Sequence, residues 1–241
     1  MHQVCHDPLT RLANRAMATE RLAQVFVEPA GQRRVGLCLL DLDGFTVING
    51  SLGRDVGDQV LIAVASRLTR CCNSGQLVAR MGGDEFMIIF EDTAGEHNAT
   101  ALADKVMTAV TAPIRVGDHE LTVTTSIGVV ERSVADTSPA DLMQAADVTL
   151  CRAKTDGKAR YAMYDQHRND TEVARLTLLT TMPADVDCGE FFVDDQPLVW
   201  LEDGVLGGVE ALVHWRHPTF GVLGPERLLL EPSRPAPAAD G

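Results

Sequence analysis

The chain has 241 residues, 45% of them hydrophobic, and a formal net charge of −13. That length holds one large domain, or one medium domain and part of a second, with enough apolar residues for a real core. The negative charge argues against nucleic acid or an anionic membrane surface as the main partner, and no apolar run approaches the roughly 20 residues of a spanning helix.

The first residues, Met1-His2-Gln3-Val4-Cys5-His6-Asp7, lack the basic-then-apolar pattern of a signal peptide, so a cytoplasmic location is expected. Residues 35–40 form a continuous apolar run ending in Asp41-Leu42-Asp43-Gly44, which predicts a buried strand and then a turn. Asp58 precedes a helical pattern with Leu61, Val64, Ala65 and Leu68 on one face. Residues 77–79 and 86–90 are apolar runs on either side of a Gly82-Gly83-Asp84-Glu85 turn, which predicts a β-hairpin over 77–81 and 85–91 whose turn needs glycine backbone freedom. That turn carries carboxylates at its tip, with backbone N–H groups able to meet an anion. Residues 96–112 read as a helix stopped by Pro113, and 114–116 with 121–130 as an extended pair turning at Gly117-Asp118. Ser138-Pro139 opens another helix by N-cap and N1 chemistry, with Leu142, Ala146, Leu150 and Ala153 facing inward. Gly157 ends it, and 161–164 form a last short strand. Such an irregular alternation predicts a mixed α/β sandwich around a largely antiparallel sheet.

Beyond residue 165 the character changes. Residues 166–189 read as a polar connector, 190–231 resume strand-like and turn-like patterning, and the proline-rich 232–241 as a disordered tail. The six cysteines form no C-x-x-C; Cys38 and Cys151 sit inside apolar patterns, which predicts buried free thiols and no zinc site.

Asp41 ends one central strand, and the glycine turn presents Asp84 and Glu85. If the strands are neighbours, three carboxylates converge at one sheet edge. Hard oxygen ligands with open positions suit Mg²⁺ carrying a nucleoside triphosphate. Spacing alone does not separate Asp41 from Asp43. Asn49 and Asp58 bracket a glycine-bearing segment, where a carboxylate could accept the N1–H and exocyclic amine of guanine and so discriminate against adenine. An ordinary N-cap explains Asp58 equally well. Lys154 and Lys158 near a helix C-terminus are favoured by the dipole, and as phosphate partners would supply positive charge. No G-x-x-x-x-G-K-[ST] loop is present, which excludes a P-loop nucleotidase.

In this order the pieces resemble the GGDEF family of diguanylate cyclases. The likeness runs from Asp7-Pro8-Leu9-Thr10-Arg11-Leu12-Ala13-Asn14-Arg15 through Asp41-Leu42-Asp43-Gly44-Phe45, Asn49, Gly57-Asp58 and Gly82-Gly83-Asp84-Glu85-Phe86 to Ala146-Asp147 and Ala153-Lys154. It covers roughly residues 5–165. The resemblance implies a nucleotide-cyclase-like palm, βααββαβ with a central mostly antiparallel sheet. It implies Mg²⁺, or Mn²⁺ in its place, held by Asp41 and Asp84 side chains and the Leu42 carbonyl. Asn49 and Asp58 would read guanine, Gly82 and Gly83 would lie along the phosphates, and Lys154 and Lys158 would hold phosphate oxygens. Asp84 would activate the ribose 3′-hydroxyl, with Glu85 completing the acidic cluster. The implied reaction joins two GTP into cyclic di-GMP and two pyrophosphates across a homodimer. The chain departs from the family at Thr46, Gly50, Arg54 and Lys158, none of them a metal ligand, and lacks both charges of the R-x-x-D feedback motif at positions 73–76. The alternative implied is a weak or inactive GTP-binding regulatory module. Residues 190–231, with Gln196-Pro197 and Glu210-Ala211-Leu212-Val213-His214-Trp215, resemble the start of an EAL phosphodiesterase domain, an incomplete TIM-like barrel without phosphodiesterase activity of its own.

Overall fold

A computed structural model of the chain describes residues 5–27, 33–91, 96–201 and 204–228, which divide into two units, Met1–Asp165 and Gln166–Gly241. In the first unit the elements run β1 (Ala13–Asn14), α1 (Arg15–Val27), β2 (Arg34–Asp43), α2 (Phe45–Leu52), α3 (Arg54–Cys71), β3 (Leu77–Gly82) and β4 (Glu85–Glu91). They continue through α4 (Glu96–Thr111), β5 (Ile114–Val116), β6 (His119–Leu121), β7 (Thr124–Ser133), α5 (Pro139–Thr155) and β8 (Tyr161–Met163).

Six strands form one sheet in the order β1-β3-β4-β2-β7-β8, with β5 and β6 as a separate hairpin. The four long strands pair antiparallel, while the short edge strands β1 and β8 add parallel to β3 and β7. The sheet is therefore mixed, antiparallel in its centre. The unbroken apolar run of β2 follows from burial on both faces. Cys38, Leu40 and Leu42 pack toward Leu68 of α3 and Val106 of α4. Val35, Leu37 and Leu39 pack toward Leu22 of α1 and Leu142 of α5. Mid-strand Gly128 lets α5 approach: a Cβ there would lie 2.5 Å from both the Ala146 carbonyl oxygen and the Leu150 nitrogen. The α5 start is the expected one, with Pro139 in the first turn and a reciprocal capping box between Ser138 and Asp141.

Several local expectations are corrected. The run 121–130 is two strands, β6 and β7, because Thr122 and Val123 leave the hairpin before the central sheet begins. Helix α1 was not anticipated: its buried Ala18, Leu22 and Val25 are too few and too diluted by polar residues to stand out. Asp58 is no N-cap, since α3 begins four residues earlier at Arg54 behind Gly53. Cys38 is buried as expected and its thiol is pushed well up by burial, but Cys151 is exposed on α5.

The second unit comprises α6 (Gln166–Asp187), β9 (Phe191–Val199), β10 (Leu206–His217), β11 (Gly221–Leu223) and α7 (Pro225–Leu228). The stretch read as a polar connector is thus a 22-residue helix, carrying Pro183 inside it. Its strands form a three-stranded sheet, β11-β10-β9, antiparallel throughout, whereas TIM-barrel strands run parallel. The core is Leu178, Trp215 and Leu223, with Phe191 stacked on Trp215 at 4.9 Å. Residues 232–241, expected as a disordered tail, lie outside the described residues.

Candidate functional site at the end of β2

Strand period decides which acids share a face. Asp41 and Asp43 are two apart on β2, so both side chains point toward the α1 and α5 layer, and Glu85 joins them as the register partner of Asp41. Their uses differ. Both Asp43 oxygens are occupied: Ser126 Oγ donates to Oδ1 (2.7 Å), while Thr124 Oγ1 (2.8 Å) and the Ala159 N–H (3.1 Å) donate to Oδ2. Asp43 is an anchor. Asp41, with its side chain 16% exposed, meets the Lys154 Nζ at 2.7 Å.

The glycine turn closes beside it. Gly82 and Gly83 have φ of 137° and 53°, conformations open to glycine and strained for other residues. The Leu42 N–H donates to the Asp84 carbonyl at 3.3 Å, tying the turn to β2. Burial raises the Asp84 carboxyl above its ordinary range and the Asp41 charge pushes the same way, while its own N–H, Lys154 and Arg80 pull it back. Asp41 is thus near enough to Asp84 for its charge to act on that carboxyl, at the end of β2 where Leu42 ties the turn to the strand. Phe86, fully buried, anchors the following strand in the core.

The third acid does not join them. Glu85 reaches the Arg15 guanidinium at 3.7 Å, and Arg15 also donates to the Met81 carbonyl at 3.0 Å. Among the described residues no three His, Cys, Asp or Glu side chains assemble into a metal-binding group. The expected three-carboxylate cluster is not found among the described residues; Asp41 and Asp84 remain as two acids near enough for one charge to act on the other. That pair still fits a divalent cation: two hard oxygen donors whose mutual repulsion a cation would relieve. Lys154 currently supplies that relief to Asp41.

Asn49 lies against α3, where a Cβ on Gly57 would fall 1.9 Å from its Oδ1. The adjacent Asp58 is exposed in the second turn of α3, so α2 and α3 bring both proposed base-reading residues to one helix crossing. Lys158 is exposed beyond α5 within a left-handed run, with φ of 118° at Gly157, 60° at Lys158 and 47° at Ala159. Left-handed backbone costs a non-glycine residue roughly 1–2 kcal/mol, and the Ala159 bond to Asp43 helps hold the run in place.

Four contributors had no assigned role in the sequence reading. Arg80 donates to the Gly83 carbonyl through Nε (3.0 Å) and Nη2 (2.7 Å), and to both oxygens of Asp7 (3.1 and 3.2 Å). Thr10 donates to Asp7 through its N–H (2.8 Å) and hydroxyl (2.7 Å). Burial opposes ionisation of Asp7, but the Thr10 and Arg80 bonds outweigh it and hold its carboxyl below the ordinary range. Asp147 on α5 is raised by burial, against the pull of Arg15. The signal available in sequence was position alone: Asp7 and Thr10 in the opening motif, Arg80 two residues before the glycines.

The family model for "Diguanylate cyclase, GGDEF domain" matches residues 4–160, and the chain belongs to that family. Among curated relatives, the "Bifunctional diguanylate cyclase/cyclic di-GMP phosphodiesterase MucR" of Pseudomonas aeruginosa is 32% identical over 225 residues, 93% of this chain and 33% of that protein. The "Cyclic di-GMP phosphodiesterase NbdA" of the same organism is 32% identical over 226 residues, 93% of this chain and 29% of that protein. The chain thus spans about a third of the length of these relatives. The GGDEF domain of TpbB (YfiN) from P. aeruginosa superposes with a TM-score of 0.66 at 30% identity, covering 70% of this chain and 99% of that one. The coiled coil and GGDEF domain of DgcB from Caulobacter crescentus, in complex with c-di-GMP, gives 0.62 at 30% identity, covering 67% and 86%. No described helix is long and apolar enough to cross a membrane.

Proposed function

We propose that the first unit is a diguanylate cyclase domain, condensing two GTP into cyclic di-GMP and two pyrophosphates in a homodimer. The observation that carries this reading is the tie between β2 and the glycine turn, the Leu42 N–H on the Asp84 carbonyl, which sets Asp84 within electrostatic range of Asp41 and its partner Lys154. Asn49 and Asp58 orient guanine at the α2–α3 crossing. The exposed Gly82-Gly83 backbone runs beside the phosphates, and Lys154 and Lys158 neutralise phosphate oxygens. Asp84 takes the proton of the ribose 3′-hydroxyl, and the freed oxygen attacks the α-phosphorus of the GTP held by the partner copy. The bond to the bridging oxygen breaks and pyrophosphate leaves; the reciprocal step closes the ring. A divalent cation between Asp41, Asp84 and the Leu42 carbonyl would supply charge neutralisation at the phosphates. Glu85, held by Arg15, shapes the acidic wall.

A second reading, a GTP-binding module without turnover, is favoured by one observation: Lys154 already pairs with Asp41 at 2.7 Å. Purified protein incubated with GTP and Mg²⁺, with products identified by mass spectrometry, decides between them. The cyclase reading expects cyclic di-GMP from the wild type and none from Asp84→Ala; GTP binding without product would establish the module. The second unit is read as the start of an EAL domain, supported by matches to relatives that extend well past residue 160. At positions 73–76 the chain closes on itself, the Asn73 N–H donating to Gln76 Oε1 and the Gln76 N–H to the Asn73 carbonyl, both at 3.0 Å. With no charge there, titrated cyclic di-GMP should leave turnover free of non-competitive inhibition.

A further inference from the structure

The glycine turn is exposed, and a Cβ at either Gly82 or Gly83 would meet nothing within 4 Å. Side-chain packing therefore does not hold its shape. What grips it is the fork of Arg80, whose two nitrogens close on the Gly83 carbonyl while the same guanidinium is held from behind by both oxygens of Asp7. Arg80 is the register partner of Phe86, so it faces the α3 layer, opposite the face used by Glu85 and Arg15. The opening segment thus straddles β3: β1 pairs with it at Ala79 and Arg80, Asp7 reaches one side and Arg15 the other.

We infer that Arg80 is a positioning residue for Asp84, set by Asp7 and acting through the peptide between Gly83 and Asp84. A peptide unit is planar and trans, so fixing the Gly83 C=O fixes the Asp84 N–H on the opposite side. That N–H lies on the residue whose carboxylate is to be placed, so the orientation of the peptide sets where the Asp84 side chain starts. The line of contacts runs from the opening segment to the backbone of the reactive residue: Asp7, Arg80, the Gly83 carbonyl, and the peptide that carries the Asp84 N–H. Displacing residues 5–12 would slacken Arg80 and let the peptide rotate. The reach of this line makes the segment N-terminal to β1 a control point for the site. The inference rests on the cyclase reading for its consequence on rate, and on geometry alone for its consequence on the turn.

The test uses Arg80→Lys in the full chain, which keeps the positive charge and removes the two-pronged grip, together with Asp7→Asn. Amide exchange over residues 82–85, followed by mass spectrometry, should quicken at least about ten-fold in Arg80→Lys and less in Asp7→Asn. In the cyclase assay, kcat should fall about 100-fold in Arg80→Lys, the cost of a displacement near 1 Å, with KM for GTP within about three-fold. In the pair Asp7→Ala and Arg80→Ala the losses should not add, because both break one line of contacts. Unchanged exchange over 82–85, or kcat within two-fold of wild type in Arg80→Lys, overturns the inference. If the wild type makes no cyclic di-GMP, the cyclase reading fails by itself, and the exchange measurement still decides the role of Arg80.

Discussion

The two units bury very different amounts of themselves. The first packs apolar side chains on both faces of a six-stranded sheet, with β2 enclosed almost along its whole length. The second, among the described residues, buries Leu178, Trp215 and Leu223, and leaves Val193, Leu198, Val199, Leu206, Val209 and Val213 exposed on two long strands. Hydrophobic burial is the main favourable term in folding, so the first unit carries its own stability and the second carries little. The candidate site is built wholly in the first.

The sharpest way to break this contrast is at the site. Asp41→Ala or Asp84→Ala should lower cyclic di-GMP formation by at least about 1,000-fold, with the unfolding transition of the first unit retained; comparable loss on altering the second unit would contradict the assignment. Next in size, Phe86→Ala should destabilise the first unit by about 3–5 kcal/mol, whereas Trp215→Ala should leave its denaturant midpoint unmoved and alter only the weaker transition. One shared transition in both variants would show that the units fold as one. Gly128→Ala should cost about 1–3 kcal/mol by pushing α5 off β7, and should weaken GTP binding because Lys154 rides on that helix. Asp7→Asn is smallest, about 1 kcal/mol at pH 7. Because its folded-state pKa is depressed, the stability Asp7 lends is present above about pH 4 and lost as pH falls through the lowered value. Wild type and Asp7→Asn should therefore converge in acid, as thermal melts at pH 7 and pH 2.5 would show.

Strand period and cap chemistry made much of the first unit legible: the enclosed β2, the hairpin at Gly82-Gly83, and the capped start of α5 all follow from local rules. Other features depended on what touches what. Asp41 and Asp43 are indistinguishable in spacing, and it is the hydroxyls of Thr124 and Ser126, more than 80 residues away in sequence, with the Ala159 amide, that separate the anchored acid from the one that meets Lys154. Glu85 reads as a third ligand until Arg15 is seen to claim it. Arg80 looks like a polar residue at a strand end, because its partners, Asp7 and the Gly83 carbonyl, come from opposite directions in the chain. Helix α6 escaped notice for the opposite reason: one buried leucine in 22 residues leaves almost no amphipathic trace.

The spacing of Asp41 and Asp43 has a bearing on alignment as well as support. Two equivalent acids spaced by one strand period invite a slide of β2 by two positions, which would preserve every inward and outward orientation and simply swap their duties. Thr124, Ser126 and the Ala159 amide would serve either acid. What blocks the slide is Gly36: it lies opposite Phe90, whose ring would be 2.2 Å from a Cβ there, so a neighbour two positions away cannot take its place.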